Sequence, residues 1–107
     1  MNMILIDVER DSVCMGDDVD APHAYKFNLA EEATLSELFS HLEKKRYLVG
    51  VAGKKHSWDA MVNGKKVAHF TSNNQAPESN SLLIKPLSKL AKDGQLKLEF
   101  IYNSAIT

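Results

Sequence analysis

Asp17, Asp18 and Asp20, with His23 three residues further on, bring carboxylates and an imidazole into one short stretch. Clustered carboxylates suit hard divalent cations such as calcium, which bind through oxygen. A calcium loop of the EF-hand type also needs a glycine and a distal glutamate at fixed offsets. Those positions hold His23 and Leu29. The expected state of the segment is therefore a solvated acidic loop. Asp17, Asp18, Asp20 and His23 stand as the metal candidates if an ion binds at all.

Other chemistry-bearing residues are thinly spread. Cys14 is the single cysteine, so neither an internal disulfide nor a multi-cysteine metal centre is possible, and the expectation is a small inert side chain. The histidines, His23, His41, His56 and His69, lie in no catalytic signature. Lys54-Lys55-His56-Ser57-Trp58 mixes cations with an aromatic ring, as single-strand nucleic-acid readers do. The slightly acidic net charge of −1 argues instead for a basic turn beside a core or interface tryptophan. Gly53-Lys54-Lys55 is not a phosphate loop, because Leu48 stands where the upstream glycine belongs. The residues read as a non-enzyme without cofactor. Trp58, His69, Lys54, Lys55, Lys65 and Lys66 are the candidate contacts for a protein partner.

Charge is unevenly distributed. Residues 1–43 carry ten acids against Arg10 and Lys26, whereas residues 44–66 carry seven bases against Asp59 alone. Such asymmetry steers charged partners or lets the two ends of the surface pair with each other. The 44% hydrophobic and 25% charged content suits one soluble globular domain. No apolar run is long enough to cross a bilayer, and the first residues lack the basic region of a secretory signal. The lone thiol and the missing signal predict a cytoplasmic protein, the missing apolar run and the net charge predict no membrane or nucleic-acid binding, and open strand edges allow a weak dimer beside the monomer.

The elements that must position these residues follow from periodicity. Residues 3–8 alternate, with Ile4, Ile6 and Val8 on one side, and residues 23–29 alternate through His23, Tyr25, Phe27 and Leu29. Gly16 is the expected turn between them, and Val13 and Val19 would lengthen both strands into one hairpin. Thr34-Leu35-Ser36-Glu37 is a capping box, followed by a stripe of Leu35, Leu38, Phe39 and Leu42 at helical spacing. Lys44, Lys45 and Arg46 suit the last turn. Tyr47–Ala52 reads as a strand, and Gly53-Lys54-Lys55 as a turn. Trp58, Ala60 and Val62 alternate into Asn63-Gly64, a type I′ hairpin signal. A two-residue loop would pair Val62 with Lys65, Ala60 with Val67 and Trp58 with His69. Residues 71–81 read as an exposed loop, Leu82-Leu83-Ile84 as a short strand, and Pro86–Lys92 as helical turns stopped by Gly94. Leu96, Leu98, Phe100 and Tyr102 mark a last strand, expected beside the first in a mixed sheet.

Three segments carry a resemblance. Thr34-Leu35-Ser36-Glu37-Leu38 with Leu42 looks like the helix of ubiquitin-like and small sulfur-carrier proteins. Met61-Val62-Asn63-Gly64-Lys65-Lys66-Val67 looks like their strand–turn–strand, and Asp93-Gly94-Gln95-Leu96 like the entry to their last strand. The resemblance implies an α+β fold of β-grasp type, a mixed four- to five-stranded sheet packed on one helix. It is expected to span residues 1–104, with 105–107 as a short tail. It also implies a taste for protein partners, as an accessory or adaptor module of a bacterial-type system. The family's Gly-Gly, whose carboxylate is adenylated in the carriers, occurs nowhere in this sequence. Iron–sulfur ferredoxins share the plan, but one cysteine cannot hold their cluster. The alternatives are a small-molecule or divalent-cation binder, and a degenerate carrier that docks on a partner enzyme without being activated.

Overall fold

A strand sends alternate side chains to opposite faces, and the alternation of Ile4, Ile6 and Val8 is realised as such: all three are buried while Met3 and Glu9 are exposed. The computed structural model describes residues 2–11, 24–45, 47–48, 56–71 and 76–103. Along them run strands β1 (Met3–Arg10) and β2 (Ala24–Ala30), helix α1 (Leu35–Lys44), and strands β3 (Ser57–Val62), β4 (Lys65–Thr71) and β5 (Gln95–Asn103). Two short 3-10 turns, Ser81–Ile84 and Leu87–Lys89, precede β5. The strands form one sheet in the order β2-β1-β5-β3-β4. β1 and β5 run parallel at its centre, and every other neighbouring pair is antiparallel. Among the described residues the chain is therefore an α+β domain with one α-helix on a five-stranded mixed sheet.

The helix begins where the capping box requires. Thr34 is extended, its Oγ1 accepts from the Glu37 N–H at 3.2 Å, and its own N–H donates to Glu37 Oε2 at 3.3 Å. Leu35, Leu38, Phe39 and Leu42 are buried against the sheet. Phe39 meets Phe70 edge-on with ring centroids 5.1 Å apart, and Phe70 meets Phe100 at 5.5 Å. The inner faces of β1, β5, β3 and β4 supply the rest of one core, closed by Leu87.

Several expectations need correction. Tyr47 and Leu48 are buried but belong to no strand. The Tyr47 N–H donates to Leu42 O, extending the helix exit, and its ring lies 5.6 Å beneath the Arg10 guanidinium and 5.8 Å from Phe100. Leu82-Leu83-Ile84 forms a 3-10 turn instead of a strand, because the Asn80 side chain caps the Leu82 N–H at 2.7 Å. The helical stretch after Pro86 shrinks to Leu87–Lys89. Gly94 does not stop a helix: Asp93 (φ 55°) and Gly94 (φ 76°) form a tight turn that joins Lys92 to Gln95 and opens β5. Asn63 (φ 53°) and Gly64 (φ 80°) form the expected hairpin turn.

The register beyond that turn also differs. Val62 pairs with Lys65 as expected, but a bulge between Ala60 and Met61 shifts the rest, so that Ala60 faces Ala68, Asp59 faces His69 and Trp58 faces Phe70. The physical reason is burial. One extra residue in β4 lets Val67 and Ala68 both turn inward and keeps Phe70 in the core. The proposed hairpin extension at Val13, Gly16 and Val19, residues 49–55, Arg46 and the tail 105–107 lie outside the described residues. No described helix is long and apolar enough to cross a membrane.

Candidate functional site

The pleat of β3 sends Trp58, Ala60 and Val62 toward the helix and Ser57, Asp59 and Met61 to the opposite face. On that outer face the bulge sets His69 directly across from Asp59. His69 Nδ1 lies 2.6 Å from Asp59 Oδ1, and Lys66 Nζ lies 3.0 Å from the same oxygen. Asn103, reaching from β5, donates through Nδ2 to Asp59 Oδ2 and to Ser57 Oγ, both at 3.2 Å. Three strands thus converge on one carboxylate.

Burial, the largest single influence on Asp59, pushes its pKa up. Hydrogen bonds from His69, Lys66 and Asn103, with the Lys66 charge, together outweigh it and hold the carboxyl below its ordinary range. An ionised Asp59 only accepts, so His69 Nδ1 carries the proton and Nε2 remains as the second ring nitrogen. A carboxylate behind an imidazole orients it for proton acceptance or for metal ligation. Neither use is completed nearby. No hydroxyl or thiol of a described residue is hydrogen-bonded to the His69 ring. No group of three or more potential ligand side chains gathers among the described residues.

Beside this cluster, an open cleft of about 320 Å³ separates β4 from residues 78–82, with Lys66, His69, Glu78, Ser79 and Ser81 on its walls. Two bonds tie those residues to the edge of β4: the Glu78 N–H donates to His69 O at 2.8 Å, and Asn80 Nδ2 donates to Val67 O at 3.1 Å. The exposed edge strand is thereby partly covered.

A second cluster sits where β2 meets the helix. His41 stacks on Phe27 with centroids 4.1 Å apart, and Tyr25 OH lies 3.3 Å from His41 Nε2. Burial, then the charges of Lys45 and Lys44, lower the His41 pKa. Neutral, stacked histidine is a packing group.

Of the residues singled out in the sequence, the structure brings His69 and Lys66 together. Lys65 is exposed at the hairpin end. Trp58 is corrected outright: it is 1% exposed and packs edge-on against Tyr102 at 5.2 Å, so it is core and offers no surface to a partner. Lys54, Lys55, Asp17, Asp18, Asp20, His23 and Cys14 lie outside the described residues. Sequence reasoning missed Asp59, Asn103 and Glu78. The outward position of Asp59 is implicit in the alternation of Trp58 and Ala60, but its partners depend on a bulge that has no local signal. No family model matches this chain, and no curated protein does so either.

Proposed function

We propose that the chain is a non-catalytic β-grasp module, ubiquitin-like in plan, that acts by binding another protein as an accessory or adaptor. The strand order β2-β1-β5-β3-β4, the central parallel pair and the helix across one face support the fold assignment. They agree with what the resemblance at the helix start, the Asn63-Gly64 turn and the Asp93-Gly94 strand entry implies.

One observation carries the functional reading. The helix covers one face of the sheet, and no described element covers the other. That second face holds Met3 (55% exposed) and half-buried Leu5 at the start of β1, and Ile101 (37% exposed) with half-buried Met61 toward the other end of the sheet. Apolar side chains on an uncovered sheet face are what a docking surface consists of. Affinity capture from the native cell, with the tagged full chain and with Ile101→Ser, tests this. A partner recovered by the wild type and lost in the variant, at unchanged circular dichroism, is expected. Equal recovery by both, or no partner at native abundance, refutes the reading. The Asp59–His69 pair beside its cleft favours one second reading, a divalent-cation or small-molecule binder. Calorimetric titration with calcium, magnesium and zinc checks it, and flat traces at millimolar metal remove it.

A further inference from the structure

Ile101 is exposed at the centre of a ring of carboxylates. Glu99 precedes it by two residues on the same face of β5, and Asp59 faces it across β3. Asp11 flanks it on the β1 side, where the Asp11 N–H donates to Phe100 O at 3.1 Å and Asp11 Oδ2 accepts from the Tyr102 N–H at 2.8 Å. A depression of about 60 Å³ lies between Glu9, Arg10, Asp11, Glu99, Phe100 and Ile101; Arg10 is 5% exposed, so the solvent-facing charge there is carried by the acids.

Asp59 is balanced by Lys66 and His69, but among the described residues Glu9 and Glu99 have no such cation. One row alternates in sign, Lys26 opposite Asp7 and Asp7 opposite Lys97. In the next row Glu9 stands directly opposite Glu99, with uncharged Ala24 and Met61 as its outer neighbours. Among the described residues neither glutamate makes an ion pair. Like charges directly opposite one another destabilise a sheet. A pair that violates a local rule with no gain in the free protein is expected where a ligand makes the compensation.

We infer that this face docks a basic segment of a protein partner, with an apolar side chain on Ile101 and lysines or arginines over Glu9, Glu99 and Asp11. The inference rests on the protein-binding function proposed above and names the partner's chemistry. Other occupants fit the charge badly. A second copy in an isologous pair would set these carboxylates against themselves. An anionic membrane or a nucleic acid would be repelled. An apolar centre with a complementary charged rim is the ordinary anatomy of a specific interface, and its charges speed encounter.

The probe is a short synthetic peptide with leucines flanked by lysines, and a control with glutamates for lysines, titrated into the ¹⁵N-labelled full chain. Saturable shifts at the amides of residues 9–11, 59–61 and 99–103 with the lysine peptide alone are expected. The double variant Glu9→Gln, Glu99→Gln should bind at least about tenfold more weakly. It should also melt a few degrees higher than the wild type, because it loses the repulsion, whereas a structural role for these glutamates would lower the melting temperature. Shifts elsewhere, none at millimolar peptide, or unchanged affinity in the double variant would overturn the inference. Capture from the native cell separates the two levels. A partner lost with Ile101→Ser but kept by the double variant refutes only the basic chemistry; no partner at all refutes the docking function beneath it.

Discussion

At the scale of single residues, Trp58 shows how burial decides a role. Its flanking lysines and its place in the sequence suit an exposed anchor, but it is the largest fully buried side chain of the core. Trp58→Ala should cost about 3–5 kcal/mol, a large share of the roughly 5–15 kcal/mol that holds a domain folded. Urea denaturation followed by circular dichroism measures it. A near-silent variant would mean the site collapses without a cavity. The capping residue makes a smaller prediction of the same kind: Thr34→Ala loses the bond to the Glu37 N–H and should cost about 1 kcal/mol in the same assay.

The histidine on α1 and the aspartate on β3 predict pH dependence of opposite chemical origin and the same sign. His41 has its folded pKa below the unfolded 6.5, so the folded state binds fewer protons there. Its contribution is full above about pH 6.5 and declines as pH falls toward the folded value. Protonation puts a charge on a partly buried ring near Lys45 and Lys44, and both burial and those charges oppose it. The melting temperature of the wild type should therefore drop more than that of His41→Gln between about pH 7 and pH 5. Parallel curves would show that His41 titrates alike folded and unfolded. Asp59 has its folded pKa below the unfolded 3.8, so its contribution is full above that value and is lost in more acid solution.

At the scale of elements, the legible parts were those set by neighbours in sequence. The helix start is written in Thr34 and Glu37, and the hairpin turn in Asn63-Gly64, because each needs only a few adjacent residues. Asp93-Gly94 has the same turn chemistry as Asn63-Gly64 and opens β5, as the resemblance at that segment implies; the expectation that Gly94 also stops a helix fails because the helical turn after Pro86 ends at Lys89. Both residues of that turn have positive φ. Gly94→Ala should therefore destabilise the entry to β5 by about 1 kcal/mol, measurable by thermal unfolding. The bulge in β4 was illegible because Val67 and Ala68 are both apolar, and either could face inward. The Asp59 cluster was illegible for a different reason: Asn103 reaches it from 44 residues away, and only the sheet order brings them together.

Among the described residues the sheet as a whole is layered unequally, with the helix on one side and, on the other, a polar face with scattered apolar side chains that no described element covers. That imbalance leaves Glu99 and Ile101, on the outer row of β5, exposed. The described residues place β5 between β1 and β3, so its amides have partners on both sides, whereas β2 has a strand on one side only. The parallel contact of β1 with β5 also joins two segments at nearly opposite ends of the sequence. A ribosome delivers β1 early and β5 late. Until β5 emerges, Ile6 and Val8 have no strand on that flank, so the nascent chain must wait for β5 before this sheet can fold cooperatively.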